Sequence, residues 1–245
     1  MSDDAVLRLC DVNAGYGRTA VLRDVSISVP PHGVVALLGP NGAGKTTTLR
    51  VAAGLIHPTS GTVMLRGADA TQLPPHRRAA RGLCLIPEGR GIFPRLTVRE
   101  NLRLQLPPRS DAGTIDSALT AFPILKDRLG QLAGTLSGGQ QQMLALSRAY
   151  VTNPSLVILD EVSMGLAPLV VDEIFESLDA LAKSGAALLI VEQYIPRALA
   201  LADEVVVLDR GRVSYSGPRS SLDETELMRA YLDHRPLAED APPGQ

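Results

Sequence analysis

A chain of 245 residues that is 45% hydrophobic and 20% charged has the composition of a water-soluble globular protein, long enough for one large domain or a core with a subdomain. The net charge of −2 comes without a basic block, which argues against a nucleic-acid partner, and no apolar run approaches the ~18 residues of a membrane span. Cys10 and Cys84 lie far apart without metal-ligand spacing and read as buried thiols in a reducing compartment, while Met1–Asp4 is too acidic for a signal peptide, so a cytoplasmic location is expected.

Leu7–Ala14 and Val21–Val29 predict strands, the second alternating as Val21, Arg23, Val25, Ile27, Val29. Gly15-Tyr16-Gly17 between them predicts a turn carrying one aromatic, and Thr62–Leu65 predicts a third short strand. With the apolar run Val34–Leu38, these predict an antiparallel β layer. Tyr16 is then either a platform for a nucleotide base or an exposed turn tyrosine.

The run Val34–Leu38 leads into Gly39-Pro40-Asn41-Gly42-Ala43-Gly44-Lys45-Thr46-Thr47, and Thr46–Ala53 behind it has helical character. Strand, glycine loop and helix in that order are the context that G-x-x-x-x-G-K-[ST] requires. Glycines let the backbone curl with its N–H groups toward a phosphate chain, and the positive end of the helix points to the same place. Lys45 would reach the β- and γ-phosphates, and the Thr46 hydroxyl would ligate a magnesium ion. These residues predict a nucleoside triphosphate site.

Gly82–Ile86 predicts a buried strand, ended by Pro87-Glu88-Gly89-Arg90-Gly91. From Leu96 to Tyr150 the pattern is mostly helical, with breaks at Pro107-Pro108 and Pro123. Inside it, Leu136-Ser137-Gly138-Gly139-Gln140 precedes a helix over Gln141–Asn153, a second anion-ready helix start. Leu156–Leu159 predicts a strand running into Asp160-Glu161, where one carboxylate holds metal and the other polarises water if the strand pleat turns them to opposite faces. A helix over Asp172–Lys183, a strand over Ala187–Val191 before Glu192-Gln193, and strands over Glu204–Leu208 and Arg212–Tyr215 complete an α/β pattern with a parallel sheet. The stretch 233–245, rich in proline, predicts a flexible tail.

With LSGGQ standing between the phosphate loop and Asp160-Glu161, the chain resembles the ATP-binding subunit of an ATP-binding cassette (ABC) transporter. The resemblance runs from Leu7 to Leu232. It implies a single domain over 5–232: a P-loop NTPase core with a parallel sheet, an antiparallel β subdomain, and a helical subdomain over about 90–153 carrying the signature. It further implies ATP and Mg²⁺ as ligands. Tyr16 corresponds to the adenine-stacking aromatic, Gly39–Thr47 to Walker A, and Ser137–Gln140 to the signature that meets ATP. Asp160 corresponds to the Walker B carboxylate, Glu161 to the general base, and Ser163-Met164-Gly165-Leu166 to the D-loop. Implied partners are a second cassette paired head to tail, identical or not, transmembrane permease subunits docked in a cleft near Glu88, and indirectly a periplasmic or lipid-anchored binding protein. The implied place is the cytoplasmic face of the membrane.

Three positions depart from the general family pattern. Glu88 stands where glutamine is usual, Gln193 where the switch histidine is usual, and Val162 where proline follows the base. The first two, together with Ile86–Arg90 and Gly165–Pro168, are similar to branched-chain amino-acid importer ATPases of the LivF type. The resemblance therefore implies an ATPase powering uptake of branched-chain or related amino acids. Import of another small polar solute such as urea or an amide is the alternative, with a soluble ABC protein or a P-loop kinase further off. The residues alone leave Glu88 open as a metal-side carboxylate or a solvated loop acid, and Gln193 as a phosphate contact or a packing residue. They also leave Arg90, Arg95 and Arg99 open as a docking surface or a solvated face.

Overall fold

The computed structural model describes residues 4–106 and 114–222, so Pro107-Pro108 and the 233–245 tail lie outside the described residues. In chain order the elements are β1 (Leu7–Tyr16), β2 (Thr19–Val29), β3 (Val34–Leu38), α1 (Lys45–Ala52), β4 (Ser60–Leu65), β5 (Ala68–Asp69), α2 (Pro75–Ala80) and β6 (Leu83–Ile86). They continue as α3 (Val98–Gln105), α4 (Thr114–Ala121), α5 (Gly138–Thr152), β7 (Leu156–Asp160), α6 (Pro168–Lys183), β8 (Ala187–Val191), α7 (Ile195–Leu201), β9 (Glu204–Asp209) and β10 (Arg212–Pro218).

Five consecutive apolar residues are stable in a strand only when both faces of the sheet are covered. β3 and β8 are such strands, β7 has four apolar residues before Asp160, and all three are buried at every position. They lie in a six-stranded sheet ordered β10-β9-β3-β8-β7-β6, parallel except for β10. Successive side chains feed two different cores. Val34, Ala36 and Leu38 pack with residues of α3 through α7, whereas Val35 and Leu37 pack with α1 and the first two strands. The fold class is thus the α/β parallel-sheet arrangement read from the sequence, flanked by an antiparallel sheet and by helices.

That antiparallel sheet has the order β2-β1-β4-β5. β3 does not belong to it, against the expectation that Val34–Leu38 would extend the antiparallel layer. β1 alternates buried and part-exposed side chains over most of its length, as a strand covered on one face does, and β3 has no such alternation. The hairpin is also tighter than expected: Gly15 and Tyr16 still pair with Ala20 and Thr19, leaving only Gly17-Arg18 as the turn. The alternation also separates the two cysteines. Cys84 is buried, its thiol pushed up to about 11 by burial, whereas Cys10 takes a half-exposed position of β1 and is not the buried thiol expected.

Two helices start earlier than their apolar periodicity suggests. α5 begins at Gly138, because Ser137 accepts from the Gln140 N–H (3.3 Å) while the Gln140 side chain accepts from the Ser137 N–H (3.1 Å), a capping box. α6 begins at Pro168, where a missing N–H costs nothing in the first turn.

α2 carries Arg78, which is completely buried. Its guanidinium donates to the carbonyls of Val51 (2.7 Å) and Ala52 (2.7 Å) at the end of α1, and to Leu73 (3.0 Å) and Thr71 (3.2 Å). Burial lowers its pKa to about 10, opposed by the charge of Asp69. The residue satisfies the exposed carbonyls of the phosphate-loop helix and opposes its negative end. Arg78→Met is expected to strand several buried acceptors and to lower unfolding stability by about 3 kcal/mol or more. Urea unfolding followed by circular dichroism measures this, and a loss under about 1 kcal/mol would remove Arg78 from the support of α1.

Candidate active site

The carboxyl ends of three neighbouring strands, β3, β8 and β7, bring the phosphate loop, Asp160, Glu161 and Gln193 to one edge. β3 ends at Leu38 and releases Gly39–Gly44, β7 ends at Asp160, and β8 ends opposite it, with Asp160 paired to Val191. Gly44 caps α1 at φ 109, a region costly for other residues, and a β-carbon there would stand 2.7 Å from Leu22 Cδ2. The tight turn is what aims the first N–H groups of α1 back over the loop.

Lys45 is only 7% exposed and donates to the carbonyls of Gly39 (2.7 Å) and Pro40 (3.1 Å). An ammonium has three donors, so one is left for a phosphate oxygen. Burial lowers its pKa, opposed by the charges of Glu161 and Asp160. The Thr46 hydroxyl donates to Asp160 Oδ1 at 3.2 Å. Burial raises the Asp160 carboxyl to about 6, the Thr46 bond opposes this, and the charges of Glu161 and then Glu88 add to the rise. No cluster of three such acids forms among the described residues, but Asp160 beside the Thr46 hydroxyl, with the charges of Glu161 and Glu88 acting on it, is an oxygen-only pair in surplus negative charge, the donor chemistry that suits a magnesium ion.

Glu161 is not aimed by the strand pleat. β7 ends at Asp160, and Glu161 takes φ 49 while its N–H donates to the Val191 carbonyl (2.9 Å). A left-handed turn, rather than alternation, swings this carboxylate away from Asp160. Its Oε2 accepts from Gln193 Nε2 at 3.0 Å, so Gln193 is in direct contact with the acid that follows β7. Glu88 is exposed, makes no hydrogen bond among the described residues, and reaches Asp160 through its charge alone. Val162 is 2% exposed in the helix-side core, where valine supplies the apolar surface that proline would.

Tyr16 ends β1 at 46% exposure, and its hydroxyl accepts from Arg50 Nη1 of α1 at 3.0 Å. The aromatic is therefore tied to the helix that carries Lys45 and Thr46. Ser137–Gln140 lie elsewhere, at the start of α5, and none of them bonds to the phosphate loop among the described residues. A β-carbon on Gly139 would come within 2.6 Å of Val170 Cγ1, so glycine here permits close packing of α5 on α6. Arg90 donates to Gln141 Oε1, and Arg148 donates to the carbonyls of Leu85 (3.2 Å) and Gly91 (3.2 Å). The loop bearing Glu88 is thereby fastened to α5 at two places.

Glu192 is absent from the sequence-based candidates. It is 1% exposed, and its carboxylate accepts from Ser163 N–H (3.0 Å), Ser163 O–H and Gln193 N–H (3.3 Å). The signal that flagged Asp160, an acid directly after an all-apolar strand, applies equally to Glu192 after β8.

A family model described as ABC transporter matches residues 22–164, and the chain belongs to that family. It is an ATP-binding ATPase subunit of the ABC class. Among curated proteins it is 42% identical to the high-affinity branched-chain amino acid transport ATP-binding protein BraG of Pseudomonas aeruginosa, over 90% of this chain and 97% of that one. It is 38% identical to the probable branched-chain amino acid transport ATP-binding protein LivF of Archaeoglobus fulgidus, over 90% and 95%. It is 33% identical to the lipopolysaccharide export system ATP-binding protein LptB of Haemophilus influenzae, over 93% and 97%. A solved ATP-binding subunit of an ABC transporter superposes with a TM-score of 0.80 at 30% identity, covering 94% of this chain and 97% of that one.

Proposed function

We propose that this chain drives import of branched-chain or related amino acids by hydrolysing ATP against water. Its similarity to BraG and LivF along nearly the full length of all three chains is the observation that carries this reading. Tyr16 stacks on adenine, the loop Gly39–Thr47 wraps the phosphates, and the spare donor of Lys45 contacts the β/γ oxygens. Asp160 and the Thr46 hydroxyl, with Glu88 at the rim, would hold the magnesium ion, which when bound offsets phosphate charge. Glu161 accepts a proton from the attacking water, and Gln193 holds the Glu161 carboxylate in place. An amide does this at every working pH, because it does not titrate.

The separation of Ser137–Gln140 from this chain's own phosphate loop supports a head-to-tail pair, in which each signature closes on ATP held by the other subunit. No helix among the described residues is long and apolar enough to cross a membrane, so attachment at the cytoplasmic face goes through permease subunits, with a binding protein beyond them. A cleft of about 520 Å³ lined by Leu55, His76, Leu85, Pro87 and Arg148 opens beside the Glu88 loop and suits an apolar permease segment. The LptB relatives favour a second reading, the ATPase of an export system.

Reconstitution of the chain in vesicles with permease subunits and a binding protein of the branched-chain amino-acid class separates these. ATP-dependent uptake of labelled leucine is expected. Uptake of urea or an amide without leucine would move the substrate class, and outward transport alone would favour the second reading.

A further inference from the structure

A carboxylate held away from water needs strong compensation. Glu192 is 1% exposed, and its only donors among the described residues are Ser163 N–H, Ser163 O–H and Gln193 N–H. No Lys, Arg or His among the described residues pairs with it. Ser163 lies two residues beyond Glu161, in the turn Val162–Gly165. Gln193 is the residue whose side chain reaches Glu161 Oε2. One buried carboxylate therefore joins the backbone that carries the candidate base to the backbone that carries its partner.

We infer that Glu192 is a positioning residue for hydrolysis, fixing the spacing between Glu161 and Gln193 by clamping Ser163 and the Gln193 backbone together. This rests on the reading of Glu161 and Gln193 as the hydrolytic pair. Burial raises the Glu192 carboxyl above its usual range and the three hydrogen bonds oppose that rise, which fits an acid retained for its acceptors. One other feature of the geometry agrees. The Glu161 N–H donates to Val191 (2.9 Å), one residue before Glu192, so the two turns are already stitched by backbone. The side-chain clamp then fixes the remaining freedom, the orientation of the turn after Glu161. A purely apolar side chain at 192 would pack there but could not hold the turn.

Glu192→Gln tests the clamp because the shape is kept and the acceptor count falls. Its amide nitrogen must face either the Ser163 N–H or the Gln193 N–H, so one of them loses its acceptor whichever way the amide is turned. Misplacing a water-orienting group by a fraction of an ångström is costly. The expected result for the full chain is a fall in kcat on the order of tenfold or more, with ATP affinity and melting temperature close to wild type. Ser163→Ala removes one of the three donors and is expected to lower kcat by a smaller factor at unchanged KM. The double variant should lose less than the product of the two separate factors, because both remove the same clamp.

Loss of ATP affinity and melting temperature in parallel with kcat would make Glu192 merely structural and overturn the inference. So would kcat within twofold of wild type for both variants, or multiplicative effects in the double variant. If Glu192→Gln does not fold, Ser163→Ala decides alone: kcat within twofold of wild type, or a raised KM, overturns the clamp. Glu161→Gln measured alongside separates the two levels. Retained hydrolysis there would overturn the reading of the pair itself, whereas its loss with an unaffected Glu192→Gln would overturn only the clamp.

Discussion

Glu161→Gln is expected to bind ATP as wild type does and to hydrolyse it on the order of a thousandfold more slowly. The amide keeps the size of the carboxylate, and its oxygen still accepts from Gln193 Nε2, a contact of 3.0 Å in the native chain. What it loses is the basicity to take a proton from water. The phosphate loop, Lys45 and Thr46 are untouched, so the nucleotide contacts survive. ATP bound without cleavage should hold two chains together, visible as ATP-dependent dimers in light scattering or gel filtration. Near-normal turnover would reassign the base, and Asp160 could not replace it without giving up its bond to Thr46.

The second large effect is expected from Lys45→Ala. Its side chain is 7% exposed and its charge meets those of Glu161 and Asp160, with Arg50 the other cation acting on Asp160. Without it, the phosphates of ATP would meet these carboxylates with one protein cation fewer at the loop itself. Hydrolysis is expected to fall by about a hundred- to a thousandfold, with weaker ATP affinity as well. The fold should persist, because the carbonyls of Gly39 and Pro40 that Lys45 satisfies belong to the phosphate loop and not to the sheet or helix ladders that hold the two cores. Titration with a fluorescent ATP analogue, beside steady-state turnover and circular dichroism, measures all three. Wild-type turnover would remove Lys45 from the mechanism.

The parts of this site that were legible in the sequence are those set by local backbone demands. Gly39–Thr46 must curl within eight residues, and LSGGQ must open a helix, so their residue types are dictated by near neighbours. β3 was placed wrongly because its sheet is chosen by what covers both its faces, and the covering residues of α3 through α7 lie far along the chain. The sequence reading set Asp160 and Glu161 apart by the strand pleat, whereas the structure sets them apart by a turn. A positive φ at Glu161 depends on the Val191 carbonyl, thirty positions away, which receives its N–H. Glu192 carried the same signal as Asp160, an acid after an apolar run, but its burial could not be read, since two of the three donors that make it tolerable come from Ser163 on another strand's turn. Tyr16 was expected in the turn, but it pairs with Thr19 at the end of β1, and neither that place nor its tether to Arg50 was legible.

The two fastenings between the Glu88 loop and α5 have a mechanical meaning. Gln141 and Arg148 are seven residues apart, roughly 10 Å along the helix axis. A plate pinned at one point swivels, but one pinned at two is held in orientation as well. Leu85 belongs to β6, so the pins tie α5 both to a strand end of the central sheet and to the loop that carries Glu88. Arg148 also lines the neighbouring cleft with Leu85 and Pro87, so a body seated in that cleft would bear on a joint shared by sheet, loop and helix. In engineering language the joint is a bracket, in which a load on one arm is felt by the other two.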